Sequence, residues 1–107
     1  MKLEDFINVI EEKKLDSLII TEGLDEIDLS EIIIYMNDAI DLNSEIQFLT
    51  IEETDDDLVY EKGNKKLYAL FSIEHIVEEL YNTLQLKSFS LSKDKAKRLI
   101  NYAINDA

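Results

Sequence analysis

The chain of 107 residues contains no cysteine, no proline and no tryptophan, and its only glycines are Gly23 and Gly63. The absence of cysteine excludes disulfide bonds and thiolate metal sites. With two glycines and no proline, the sequence imposes few sharp breaks on the backbone. No apolar run approaches the roughly 20 residues that span a bilayer, and the N-terminal residues lack the pattern of a signal peptide. We therefore expect a cytoplasmic protein that forms a single globular domain over residues 1–107.

Positive charge is also scarce, because 24 acidic residues face 11 basic ones and the net charge is −13. Residues 1–61 hold 19 of the acids and three lysines, a net of −16, whereas residues 62–107 hold five acids and eight bases, a net of +3. A field this asymmetric favours association with basic surfaces. It repels the phosphates of nucleic acid and of anionic lipid, so we expect neither a nucleic acid nor a membrane as a direct partner.

Helical periodicity is clearest near the two ends of the chain. Apolar residues recur at helical spacing over residues 3–10 and again over residues 73–84, where Ser72 is a candidate N-cap. A serine-rich link at residues 88–92 precedes a last helix with apolar positions over residues 96–104. The start of that helix is crowded with cations, which the helix dipole disfavours there. We expect the acidic half of the chain or a partner to compensate these four residues: Lys93, Lys95, Lys97 and Arg98.

Two segments are ambiguous between helix and strand. Ser17–Thr21 is rich in β-branched residues, which favours a strand over a continuation of the first helix. Asp28 and Glu31 have the spacing of a capping box and predict a helix from Leu29 to Ile40. The alternative is a strand at Ile32–Met36, because three consecutive isoleucines are unusual in a helix.

The middle of the chain is predicted to form strands. Glu45–Glu53 is rich in strand formers, and Leu58–Lys62 pairs with Lys66–Phe71 across Gly63-Asn64, which suits a two-residue hairpin turn. We expect the acidic run between them, residues 52–57, to be a solvated turn and the three strands to form an antiparallel meander. The fold class is then α+β, with a small antiparallel sheet of three to four strands flanked by N-terminal and C-terminal helices.

No motif in the sequence predicts catalysis. There is no glycine-rich phosphate loop and no Gly-x-Ser-x-Gly turn. The single histidine, His75, falls on the polar side of its predicted helix and is expected to be a surface residue. A calcium loop starting at Asp55 would have Tyr60 at position 6 and Lys66 at position 12, where a glycine and a glutamate are needed. We therefore expect no enzyme, no cofactor and no metal site.

The acids form two clusters, which are the candidate partner-binding residues together with Tyr60 and Glu61. The first contains Asp25, Glu26, Asp28 and Glu31, and the second contains Glu52, Glu53, Asp55, Asp56 and Asp57. Tyr35, Phe48, Tyr60 and Tyr68 are candidate contact aromatics. The simplest interpretation is that scattered carboxylates keep the protein soluble, but the clustering favours binding to a basic protein.

Small, acidic, cysteine-free chains without catalytic motifs are typical of bacterial immunity proteins that neutralise toxins. A rigid acidic surface can occupy the basic cleft of a nuclease-type toxin as phosphates would. One alternative is a phage anti-defence protein of the anti-CRISPR or anti-restriction type, in which a stripe of carboxylates imitates DNA. Another is a non-catalytic adaptor or self-associating module, including a homodimer.

Overall fold

The structure is a computed structural model that describes residues 1–84 and 91–105, without the side chains of residues 83 and 84. Of the predicted serine-rich link, Ser88 and Ser90 lie outside the described residues. In chain order the elements are α1 (Leu3–Glu11), α2 (Leu15–Thr21), a 3₁₀ turn (Leu29–Glu31), β1 (Ile32–Asn37), β2 (Ile46–Thr50), α3 (Ile51–Thr54), β3 (Val59–Lys62), β4 (Lys65–Ser72), α4 (Ile73–Glu79), a π-helical turn (Leu80–Leu84) and α5 (Ser92–Asn105).

The four strands form one antiparallel sheet in the order β2-β1-β4-β3. The α+β class predicted from the sequence is therefore confirmed, with helices before and after the sheet. The predicted meander is wrong, because β1 separates β2 from the β3–β4 hairpin. As a result β2 and β3, which are consecutive in the chain, lie at opposite edges of the sheet.

The predicted helix at Leu29–Ile40 is also wrong, and the alternative strand is correct. Asp28 accepts a hydrogen bond from the Ser30 amide at 2.9 Å, but it caps only the single 3₁₀ turn. The isoleucines that follow suit a strand covered on both faces, since Ile32, Ile34 and Met36 contact the helices and alternate residues point the other way. The segment is therefore a strand, because burial on both of its faces outweighs the local helix signal at Asp28 and Glu31.

The strand favoured at Ser17–Thr21 is a helix instead, α2. Lys13 has a positive φ of 60°, which ends α1 and makes α2 a separate element rather than a continuation. Leu15, Leu18 and Ile19 recur at helical spacing and pack against the main core. Packing of this stripe outweighed the β propensity of the isoleucines.

Other local predictions are confirmed. α1 covers the predicted stripe, and the Ser72 hydroxyl caps α4 by accepting from the His75 amide at 3.1 Å. Lys62 pairs with Lys65 across the predicted hairpin turn, in which Gly63 has a φ of +65° that a side chain would strain. The predicted strand at Glu45–Glu53 is shorter than expected, because Thr50 caps α3 and turns the chain out of the sheet.

Two apolar clusters lie on opposite faces of the sheet. The main core lies between the sheet and the helices, and its fully buried residues include Phe6, Ile34, Ile76 and Leu99. The second cluster lies on the other face, with Tyr35, Leu49 and Leu67 buried and Ile33, Tyr60 and Ala69 partly buried around them. We call the face of the sheet that packs against the main core the helix face. We call the opposite face the crossover face, because the chain between β2 and β3 crosses it.

The conflict between cations and dipole at the start of α5 is relieved within the chain at one of the four cations, Lys95. The Lys95 side chain is only 6% exposed and its Nζ pairs with the Glu11 carboxylate at the end of α1. The Ser92 hydroxyl donates to the same carboxylate at 3.3 Å. The acidic half of the sequence thus supplies the counter-charge for Lys95, whereas no ion pair involves Lys93, Lys97 or Arg98 within the described residues. Among the described residues, no helix has the length and apolarity needed to cross a membrane.

Candidate protein-binding surface

The connection from β2 to β3 has to cross the whole sheet, because these strands occupy opposite edges. Residues 51–58 make this connection over the crossover face, and we call them the acidic crossover. They include five exposed carboxylates, those of Glu52, Glu53, Asp55, Asp56 and Asp57. The crossover is therefore both the cover of the second apolar cluster and the densest acidic segment of the chain.

The local sequence fixes the start and the end of α3 within the crossover. The Thr50 hydroxyl accepts from the Glu53 amide at 3.1 Å, and the Glu53 carboxylate accepts from the Thr50 amide at 3.4 Å, which is a capping box. Asp55 and Asp56 then adopt left-handed φ values of 55° and 58°, which end the helix. Aspartate tolerates this conformation better than most residues. The solvated turn predicted for residues 52–57 is therefore wrong where α3 extends to Thr54, and the Thr-x-x-Glu spacing is the sequence signal for this helix.

Tyr35 anchors the crossover to the centre of the sheet. Its side chain is fully buried, and its hydroxyl donates to the Asp57 carbonyl oxygen at 2.5 Å and lies 3.1 Å from Thr54 Oγ1. Thr54 is itself buried and donates to the Thr50 carbonyl at 3.1 Å. Tyr35 was predicted as a contact aromatic, but its position beneath the crossover makes it a support for the acidic surface rather than a part of it.

Burial raises the pKa of the Tyr35 phenol, and the nearby Asp56, Asp57 and Tyr60 raise this pKa further, whereas the contact with Thr54 lowers it. An unfolded tyrosine has a pKa of about 10. Between pH 10 and the higher folded-state pKa, the unfolded chain loses this proton first, so we expect the free energy of unfolding to fall as pH rises.

Urea unfolding of the wild type and Tyr35→Phe, measured at several pH values from neutral to strongly alkaline, checks this prediction. Below about pH 10 both the folded and the unfolded wild type keep the proton, so the stability difference between the two proteins should be constant. Above about pH 10 the difference in the free energy of unfolding between the wild type and Tyr35→Phe should narrow. A difference that stays constant throughout would show that Tyr35 ionises equally in both states.

The first acidic cluster meets the crossover at one end of the sheet. Ile32 pairs with Thr50, so the turn before β1 and the start of α3 are neighbours, although about 20 residues separate them in sequence. All four carboxylates of this cluster, from Asp25, Glu26, Asp28 and Glu31, are exposed. The Ser30 amide and hydroxyl donate to Asp28, which lowers the pKa of its carboxyl group. The sheet topology thus brings the Glu31 end of the first cluster next to the start of the crossover.

The crossover carboxylates have no ion-pair partner within the described part of the chain. Their charge is therefore available to an external cation. Asp55, Asp56 and Asp57 do not converge on a common point, and no group of three or more acidic or histidine side chains among the described residues could hold a metal ion.

Tyr60 and Glu61 are separated by the alternation of β3. Tyr60 is half-buried on the crossover face, with its ring centroid 6.3 Å from that of Tyr35. Glu61 is exposed on the helix face, away from the other predicted partner-binding residues. Of the remaining contact aromatics, Phe48 packs against Phe6 at a centroid distance of 5.3 Å, and Tyr68 lines a groove described next.

An apolar groove of about 830 Å³ runs along the helix face beside β3 and was not predicted. Val59, Tyr68 and Leu70 form its sheet side, and Tyr102 and Ala103 of α5 form the opposite side. His75 and Glu79 stand at its edge, with the His75 ring 4.6 Å from that of Phe71 and its Nε2 4.0 Å from Glu79. The available sequence signal was the adjacent apolar pair Leu58-Val59 between two charged runs.

Comparison with known proteins adds no relative. No protein-family model, characterised protein or solved structure matches this chain.

Proposed function

We propose that this chain is a non-catalytic binding protein whose acidic crossover and adjoining acidic turn cover a basic surface on another protein. The observation that carries the proposal is the way the carboxylates are held. They are exposed and free of ion pairs within the described residues, yet the segment that bears them is fixed by Tyr35 and by the Thr50–Glu53 capping box. Pre-organised charge of this kind lowers the ordering cost of association and speeds encounter.

The partner that fits best is a basic nuclease-type toxin, which would make this chain a bacterial immunity protein. The cleft of a nuclease presents lysine and arginine side chains for phosphate, and a fixed group of carboxylates competes for the same side chains. The Glu31 end of the first cluster adjoins the start of the crossover at one end of the sheet. This compact arrangement favours a cleft over the long groove that a mimic of duplex DNA would have to fill.

A variant that respects the local backbone tests the proposal. Glu52→Lys, Asp55→Asn, Asp56→Asn and Asp57→Lys raise the net charge by six units but keep the capping box, and asparagine tolerates the left-handed φ at two of these positions. The matched control raises the charge by the same amount at exposed positions in or next to helices and away from both acidic clusters, with Glu12→Lys, Asp16→Lys and Glu78→Lys.

The measurement is affinity capture from a lysate of the source organism, with elution along a salt gradient, identification by mass spectrometry and a nuclease assay on the captured protein. We expect the wild type and the control to bind and inhibit a basic nuclease. The crossover variant should bind about 100-fold more weakly, since several desolvated charge contacts are lost or reversed. Equal binding by the crossover variant would exclude the crossover as the contact, and a partner without nuclease activity would exclude the toxin assignment.

A further inference from the structure

Within residues 1–84 and 91–105, β3 is an edge strand with no strand paired on its outer side. The Ala69 amide donates to the Leu58 carbonyl at 2.9 Å, and hydrogen-bonded pairs alternate along an antiparallel ladder. Tyr60 and Lys62 therefore bond β4, whereas Val59 and Glu61 turn their N–H and C=O groups towards the free edge. These four backbone groups can pair with a further strand.

This edge of the sheet exposes apolar side chains, which most soluble proteins avoid at an edge strand. The side chain of Leu58 is 79% exposed and that of Val59 is 45% exposed, and both line the apolar groove. Edge strands in soluble proteins usually carry charge or a cover at such positions. A strand added beside β3 would shield both side chains and extend the sheet over the groove.

The charges that precede and follow β3 indicate which molecule supplies the added strand. Asp55, Asp56 and Asp57 precede β3, and Lys62 and Lys65 close the hairpin that follows it. Antiparallel pairing of two β3 strands about Tyr60 would match Val59 of each copy with Glu61 of the other, and Leu58 with Lys62. The basic hairpin of each copy would then lie beside the acidic run of the other. Lys62 and Lys65 point to the crossover face, where the acidic run also lies.

We propose that two copies of this chain associate edge to edge through β3, in an antiparallel two-fold arrangement that forms a continuous eight-stranded sheet. The contact is isologous, so each favourable charge pair occurs twice. This inference stands independently of the proposed partner. The dimer and a basic partner protein would both use the carboxylates of Asp55–Asp57, so the two associations exclude each other.

Sedimentation velocity over a wide concentration range tests the dimer, at about 0.15 M salt, where the Debye length of about 8 Å screens repulsion between the two net charges. We expect reversible dimerisation with a Kd of about 10–100 µM, as suits a small interface. Val59→Pro removes no bond to β4, because the Val59 amide faces the free edge, but it should weaken the dimer at least about tenfold. Val59→Lys should do the same, and Ile20→Lys on α2, which replaces another exposed apolar residue, should not.

A charge exchange identifies the register. Lys62→Glu and Asp57→Lys should each weaken their own homodimer about tenfold, because each change creates two unfavourable contacts. An equimolar mixture should recover dimerisation as a heterodimer, since both contact regions then again pair opposite charges. The proposal is overturned by a monomeric wild type, which would leave the edge to a strand of another protein. It is also overturned by a dimer that survives Val59→Pro, or by a mixture that does not recover.

Discussion

Replacing Tyr35 by alanine is expected to lower the free energy of unfolding by about 3–5 kcal/mol, the usual cost of truncating a buried aromatic side chain. The ring is fully buried at the centre of the second apolar cluster, between Leu49, Leu67 and the half-buried Tyr60. Its removal leaves a cavity beneath the crossover and deletes the hydrogen bond to Asp57. Urea unfolding followed by circular dichroism measures the loss.

The matched variant Tyr35→Phe separates the ring from the hydroxyl. It keeps the packing but leaves the Asp57 carbonyl without its donor, and we expect a loss of about 1–2 kcal/mol. Amide hydrogen exchange should quicken over residues 55–58 while the amides of β1 and β4 keep their protection. If Tyr35→Phe is as stable and as protected as the wild type, the hydroxyl does not hold the crossover.

The same variant connects stability with the proposed function. A crossover released from Tyr35 keeps all its carboxylates and the same net charge, but it must be ordered again on binding. Weaker binding by Tyr35→Phe would therefore measure the contribution of a fixed geometry. Equal binding would mean that the charge of the segment is sufficient without its anchor.

The elements that the sequence predicted well are those in which local pattern and final packing agree. The stripe of α1 faces the core along its whole length, and the Gly63-Asn64 turn joins neighbouring strands. The cap at Ser72 starts a helix whose apolar face is also buried. At these places one short segment carries the whole signal.

The errors arose where tertiary contacts opposed a local signal. Asp28 does accept a capping hydrogen bond, yet Ile32–Asn37 is a central strand because both of its faces are covered by distant parts of the chain. Once this strand enters the sheet, β2 and β3 are forced to opposite edges and the acidic run becomes a crossover. Neither the anchor at Tyr35 nor the meeting of the two acidic clusters could be predicted without that topology.

The second large effect is expected at the contact between α1 and α5. Lys95 is almost completely buried and its partner Glu11 is 40% exposed. Removing one partner of a fully buried pair costs 3–5 kcal/mol because the other charge is left without compensation. Since water reaches Glu11, we expect Glu11→Ala to cost about 2 kcal/mol in the free energy of unfolding.

Lys95→Met provides the opposite test, because it removes the buried charge and keeps an unbranched apolar side chain of similar length. We expect its stability to lie within about 1 kcal/mol of the wild type, helped by the loss of a cation near the start of α5. In that background Glu11→Ala should cost less than about 0.5 kcal/mol, so a double-mutant cycle should isolate most of the loss as coupling between the two side chains. A full loss in both backgrounds would mean that Glu11 stabilises α1 through Ser92 rather than through Lys95, and that the cations of α5 are compensated elsewhere.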